Sequence, residues 1–356
     1  METKKIIITG STGQLGSFMI DYLLKNTEHN VIAAIRRTSQ IIDAHIRKHE
    51  KNERFRIVHF DLIDVHSIDA LIKNEQPDYF INFGAQTFVH DSWSNPISHF
   101  KTNAISMIHI LEAVRNFCKK CRVYSSGSSE QFGDVICSPQ DINHPFRPRS
   151  PYGASKAACH NIVKVWRESY GLYVVQGILF NNESCRRQEY FVTRKITKGV
   201  ARIYHAIKNG KSFEPIELGN LDAKRDWSDS EDFVDGVWKM LNQKTPKDYV
   251  LSSNETHSIR EFIEIAFNEA GIDGVWHGSN INEEYSVSTK YAIANDPISS
   301  ILVKINEKFY RPAEVDLLMG DSTPARKELG WSPNVDFKTL VKKMVAHDIS
   351  ILDKIQ

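Results

Sequence analysis

The chain is short of cysteine, of net charge and of long apolar runs, and each shortage removes a class of protein. Its five cysteines, Cys118, Cys121, Cys137, Cys159 and Cys185, are odd in number and scattered, which argues against a disulfide framework. Cys118-Lys-Lys-Cys121 has the spacing of a redox or metal pair, but no second pair follows it, and structural zinc takes four ligands. A free thiol pair at a helix-to-strand turn is the expectation. The 14 histidines are dispersed and none forms HExxH, so no metal site is expected. Lys and Arg number 45 against 44 Asp and Glu, a net charge of +1. That balance offers no basic surplus to nucleic acid or to an anionic membrane. No stretch reaches the roughly 20 apolar residues of a membrane span. The opening METKKIIITG runs directly into a strand pattern without a signal-peptide core, and a cytoplasmic location is expected.

What is present is enough for a large core: 356 residues, 41% hydrophobic. Short apolar runs at 4–10 (KKIIITG), 30–35 (NVIAAI), 54–62 (RFRIVHFDL), 78–85 (DYFINFGA), 122–127 (RVYSSG) and 173–181 (YVVQGILFN) read as strands. Helical stripes lie between them, one of Leu15, Phe18, Met19, Tyr22 and Leu23, another of Ile105, Ile108, Leu111 and Val114. This alternation predicts an α/β fold, a Rossmann-like doubly wound parallel sheet, with a smaller mixed α/β domain. Residues 1–180 are expected to form the dinucleotide domain, with a returning segment near 225–245. Residues 181–356 supply mainly the substrate domain, with helices at 191–208 and 337–349. No repeat or low-complexity tract appears, and 271–306 reads as partly irregular. Ligands of such a sheet gather at the carboxyl ends of its strands.

The first strand runs into Gly10-Ser-Thr12-Gly13-Gln14-Leu15-Gly16, which opens the first helical stripe. Glycines there permit a tight turn and close approach to a pyrophosphate seated on the helix N-terminus. A bare strand-to-helix turn is the blander reading, and the flanking strand and helix weigh against it. Where an NAD-binding chain is expected to carry an acid after the second strand, Arg36 and Arg37 stand instead. A guanidinium pairs with a 2′-phosphate, so NADP is expected before NAD. Asp61 and Leu62 end the third strand and suit the adenine. Phe83-Gly84-Ala85-Gln86 ends the fourth, where Gly84 lets backbone approach a ligand.

Tyr152 and Lys156, at i and i+4 in YGASK, share a helix face. The ammonium and a nicotinamide's positive charge would both favour tyrosinate, fitting Tyr152 to take a hydroxyl proton during hydride transfer. Upstream, YSSGSSEQFG carries Glu130 just beyond a buried strand, and an unpaired buried carboxylate is costly. It must be solvated, paired or employed.

GSTGQLG, the hydroxyl-bearing turn and YGASK together resemble the extended short-chain dehydrogenase/reductases that act on nucleotide sugars. FNNES (180–184), RRQEYFVTRKIT (186–197), LGNLDAKRDW (218–227), DFVDGVWKML (232–241) and YRPAEVDLLMGD (310–321) resemble the GDP-mannose 4,6-dehydratases over nearly the whole chain. The resemblance implies that NADP takes hydride from C4 of a GDP-sugar, that water leaves across C5 and C6, and that hydride returns to C6. It implies Glu130 as C5 base and C6 acid, Ser128 as partner of the C4 oxygen in a place usually held by threonine, Tyr152 as proton exchanger and Lys156 as its activator. It extends the cofactor site through Arg36, Arg37, Thr38 and Ser39, through Phe83 to Thr87, and to Asn182 and Arg187. It assigns the substrate nucleotide to Asn181, Glu183, Lys195, Leu218, Gly219, Arg225, Arg311 and Glu314.

Asn182, Cys185 and Gln188 stand where the family's usual pattern has histidine, proline and glycine, and 204–217 and 271–306 are extended. Both GDP-mannose and GDP-manno-heptose therefore stay open as substrates. A C4 oxidoreductase or epimerase, which would not need Glu130, is the enzymatic alternative, and an NADP-sensing regulator the non-enzymatic one. The resemblance also implies a homodimer or homotetramer, with helices around 100–117 and 154–170 pairing across a two-fold axis.

Overall fold

A computed structural model describes residues 2–37, 44–288, 300–309 and 317–354. Seven parallel strands form its main sheet: β1 (Lys5–Thr9), β2 (Asn30–Ile35), β3 (Phe55–His59), β4 (Tyr79–Asn82), β5 (Arg122–Ser126), β6 (Val174–Leu179) and β7 (Tyr249–Leu251). Their order is β7-β6-β5-β4-β1-β2-β3. The six apolar runs of the sequence are β1 to β6. Both faces of the sheet are covered, and the strand residues alternate between two cores: Ile6, Ile8, Val31 and Ala33 face one, Ile7, Ile32 and Ala34 the other. Chain order reverses between β1 and β4, so their carboxyl ends flank the crevice where ligands of such sheets bind.

Helices Gln14–Asn26 and Ser230–Leu241 cover the first face. The segment returning to this half reaches beyond 225–245, because β7 closes the sheet and Ala325, Leu329 and Trp331 join the same core. Val65–Glu75, Ser106–Phe117 and Pro151–Tyr170 cover the second face. Within Ser106–Phe117 the buried stripe is Met107, Ile110, Leu111 and Val114, whereas Ile105 is 42% exposed. Steps of three lag the helix by about 60° each, so Ile105 and Val114 lie on opposite sides.

A third core gathers helices Val192–Lys208, Ile259–Glu269 and Phe337–Asp353. Against it lies a four-stranded sheet of Gly274–His277, Glu284–Val287, Ile301–Ile305 and Ile216–Leu218. Within 271–306, read from sequence as partly irregular, the described residues hold three of these strands, joined by turns and loop. Two small sheets join the halves. Asn181–Glu183 pairs with Trp227–Asp229, and Lys224–Arg225 lies between His257–Ser258 and Leu317–Leu318. The two cysteines of the spaced pair are free thiols at a helix-to-strand turn, where Cys121 N donates to Cys118 O at 2.8 Å.

Candidate active site

At the end of β1 the chain turns through Gly10, whose φ of +65° suits glycine, and a Cβ there would meet Gly84 N at 2.7 Å. A Cβ on Gly16 would stand 2.2 Å from Gly10 O. The turn is therefore pressed between β4 and the following helix. Gly13 caps that helix with no side-chain hydrogen bond, leaving first-turn amides without intrahelical partners and aimed at whatever anion the turn holds. Thr9 Oγ1 donates to Asn82 Oδ1 at 2.5 Å and accepts from Gly84 N at 3.1 Å, fixing the two strand ends beside each other.

β5 delivers the second element. Ser128 caps the short turn Ser129–Gln131, its hydroxyl accepting from Glu130 N at 3.3 Å while Gln131 Oε1 accepts from Ser128 N at 3.3 Å. This reciprocal cap fixes the backbone of Glu130. Helix Pro151–Tyr170 then packs so closely that a Cβ on Gly153 would meet Glu130 O at 2.5 Å. Tyr152 is thereby held beside the Ser128–Glu130 turn.

Burial pushes the Tyr152 phenol up to about 12; a hydrogen bond from Ser128 and the charge of Arg187 act the other way, and the charge of Glu130 adds to the rise. Lys156 is buried, and burial lowers its pKa below the ordinary lysine value. Its Nζ donates to Ser126 O at 2.8 Å and lies 5.9 Å from the centre of the Tyr152 ring.

These elements open on one cleft of about 1750 Å³. It is lined by Gly10, Thr12, Gly13, Gln14, Leu15, Gly16, Arg36, Asp61, Leu62, Phe83, Gly84, Ala85, Gln86 and Thr87 at one end. Ser128, Glu130, Tyr152 and Lys156 lie along it, followed by Asn181, Asn182, Glu183, Arg187, Lys195, Leu218, Gly219 and Arg225. Arg37 is exposed and outside this lining. Thr38, Ser39, Arg311 and Glu314 lie outside the described residues. Cys185 is half-buried and does not line the cleft.

The far end is built on buried charge. Glu183 Oε2 accepts from Thr193 Oγ1 at 2.6 Å and lies 3.3 Å from Arg187 Nε. Burial raises its pKa and Arg187 opposes the rise. Its carboxylate thus already has partners, where the resemblance assigned it to the nucleotide. Lys195 is half-buried, with its pKa lowered by burial, and its Nζ lies 3.3 Å from the centre of the Phe309 ring.

Sequence reasoning passed over an aromatic cluster at the mouth. Phe88 lies 4.6 Å from Tyr190 and 5.7 Å from Phe191, centre to centre, and Arg187 stacks on Phe191 at 3.4 Å. All three rings line the cleft. Their signal was adjacency, since each follows closely on a residue already singled out. His99, fully buried with its ring at right angles to that of Tyr152 and 6.2 Å away, carried no signal.

A glycine turn at a sheet's switch point thus feeds a cleft that also holds a serine–glutamate turn and a helix-borne Tyr/Lys pair, the arrangement expected from the resemblance to the extended short-chain dehydrogenase/reductases. Solved structures of that architecture superpose on the chain. UDP-glucuronic acid 4-epimerase from Bacillus cereus, with UDP-glucuronic acid and NAD, gives a TM-score of 0.78 at 19% identity over 98% of this chain and 99% of that one. dTDP-glucose 4,6-dehydratase from Bacillus anthracis, with NAD, gives 0.77 at 16% identity over 99% and 98%.

Sequence comparison is more specific. The GDP-mannose 4,6 dehydratase family model matches residues 7–344. The GDP-mannose 4,6 dehydratase of Drosophila melanogaster is 40% identical, covering 99% of this chain and 87% of that protein. The Homo sapiens protein of the same name is 38% identical over 97% and 91%. The chain belongs to the GDP-mannose 4,6-dehydratase family.

Proposed function

We propose that the protein is an NADP-dependent hydro-lyase that converts GDP-mannose to the GDP-4-keto-6-deoxy sugar. The observation that carries this reading is the meeting of the capped Ser128–Glu130 turn with Tyr152 and Lys156 in one cleft. A C4 oxidoreductase needs only the second pair; Glu130 adds a group able to move a proton at C5 and C6.

The uncapped helix start and the close-packed Gly10 and Gly16 fit a dinucleotide pyrophosphate. The Gly10–Gly16 turn, Arg36, and residues 83–87 would hold it. When bound, the nicotinamide supplies the acceptor for the C4 hydride and its donor at C6. Tyr152 takes the C4 hydroxyl proton, with Ser128 and the charges of Lys156 and Arg187 supporting the phenolate. The resulting ketone acidifies the C5 hydrogen. Glu130 removes that proton and gives one to the departing C6 hydroxyl, so that C5–H and C6–O break and water leaves. Lys195 and Arg225, cations at the far end, suit the diphosphate.

Arg36, lining the cleft after β2, supports NADP over NAD, and mass analysis of nucleotide released on denaturation tests this. Incubation with GDP-mannose and with GDP-manno-heptose, followed by mass spectrometry, tests the reaction. Loss of water is expected. An isobaric product would indicate an epimerase, and no change with either sugar would defeat the reading. Assembly as a homodimer through the helices near 100–117 and 154–170 is supported by exposed Phe100, Ile105, Val165 and Tyr170, and light scattering tests it.

A further inference from the structure

The strand that carries Arg225 to the cleft presents its next residue to the opposite side. Side chains of an extended chain alternate. Arg225 and Trp227 line the cleft, while Asp226 turns away from it and is fully buried. One carboxylate oxygen of Asp226 accepts from Ser253 N and Ser253 Oγ, both at 2.7 Å. The other accepts from Asn254 N at 3.1 Å and Gly320 N at 3.3 Å. All four donors are neutral.

Those donors come from both neighbours of the short strand Lys224–Arg225. Ser253 and Asn254 precede His257–Ser258, which pairs with it on one side, and Gly320 follows Leu317–Leu318, which pairs with it on the other. Asn254 is in the left-handed region at φ +71°, so the loop around the carboxylate is a sharp one. With only two residues in each of its three strands, backbone bonds alone hold this sheet weakly. The carboxylate closes it at the end where Arg225 leaves for the cleft.

We propose that Asp226 is a positioning residue for the nucleotide end of the cleft, holding strand Lys224–Arg225 so that the Arg225 guanidinium meets a nucleoside diphosphate. This rests on the reading of the cleft as a GDP-sugar site. An ionised carboxylate is the group able to accept four hydrogen bonds here. Asp226→Asn turns one acceptor oxygen into an amide donor facing N–H groups, and the loops must part to relieve it.

The test uses the full-length protein, with GDP as the binding probe and GDP-mannose as substrate. For Asp226→Asn, GDP affinity is expected to fall about tenfold and KM for GDP-mannose to rise to match, with kcat within about twofold, the pattern of lost binding rather than lost chemistry. NADP affinity is expected to be unchanged. Ser253→Ala removes one donor and keeps the amides; it is expected to weaken GDP by a smaller factor, and it decides the matter if the first variant does not fold. Unchanged GDP affinity in both variants overturns the proposal, as does a joint loss of GDP affinity, kcat and NADP affinity. A wild-type protein that binds GDP yet dehydrates neither sugar defeats the functional reading, while the variants' GDP affinities still judge Asp226.

Discussion

The two ends of the cleft are held by different means. At the cofactor end, backbone is brought against backbone: Gly10 against β4, Gly16 against Gly10 and Gly153 against Glu130, at distances that leave no room for a side chain. At the nucleotide end, buried carboxylates reach across gaps between loops and helices. Glu183 gathers Thr193 and Arg187, Asp226 gathers two loops, and Asp229 takes Lys343 Nζ at 2.8 Å. The first device carries no desolvated charge and tolerates no added atom. The second spans variable separations and must overcome the cost of burying a charge.

The comparison is tested most severely where the two ends meet the chemistry. Glu130→Gln should lower water loss by about 10²- to 10⁴-fold, the usual range for a general acid–base group. Reduced nicotinamide should still form on adding GDP-mannose, followed by its absorbance; normal water loss would remove Glu130 from the mechanism. Gly16→Ala comes next. With its Cβ directed at Gly10 O, it should cost about 1 to 3 kcal/mol of stability in denaturant titration, and a neutral result would show that the turn is not tightly packed.

A pH series addresses the carboxylate end. Burial raises the Asp226 carboxyl from 3.8 to about 6, against the pull of hydrogen bonds from Ser253, Gly320 and Asn254. A raised acid folds most easily when protonated, so its favourable share is present below the unfolded value and is lost as pH climbs through about 6. The stability of wild type relative to Asp226→Asn should therefore fall by about 2 kcal/mol between roughly pH 4 and pH 7. A flat difference would mean that the carboxylate is not buried as described. The smallest effect belongs to an exposed pair. Lys247 Nζ lies 2.6 Å from Glu328 on the surface, and Lys247→Ala should change stability by no more than about 1 kcal/mol. A larger loss would mean that surface pairs matter as much as the buried carboxylates.

The sequence showed the cofactor end more clearly than the nucleotide end, for the same physical reason. Strands buried on both faces are continuous apolar runs, and close backbone contact demands glycine, so β1, β2, β4, β5 and β6, Gly10 and Gly16 announce themselves, and the less buried edge strand β3 still shows a short apolar run. β7 does not, since Tyr249–Leu251 is only three residues long. Nor does the sheet within 271–306, whose strand Gly274–His277 mixes Trp and His and is only partly buried. The Ser128–Glu130 turn was legible through its Ser-x-Glu string, and the Tyr152/Lys156 pair beside it through YGASK. Asp226 was not, because a single aspartate in sequence looks like any solvated one, and its donors lie 27 to 94 positions away.

One side chain couples the two devices. Gln14, in the first turn of the glycine-led helix, donates to Asn182 O at 2.8 Å and to Asn182 Oδ1 at 3.0 Å, while its own oxygen accepts from Ser184 at 2.8 Å. With both ends of the amide engaged, it cannot flip without losing its partners, and each bond is worth about 0.5 to 1.5 kcal/mol. Hinging the halves apart at this point means breaking all three. The helix that starts on the glycine turn is thereby tied to strand Asn181–Glu183 and the segment after it, so two walls of the cleft keep their spacing only while one amide keeps its partners.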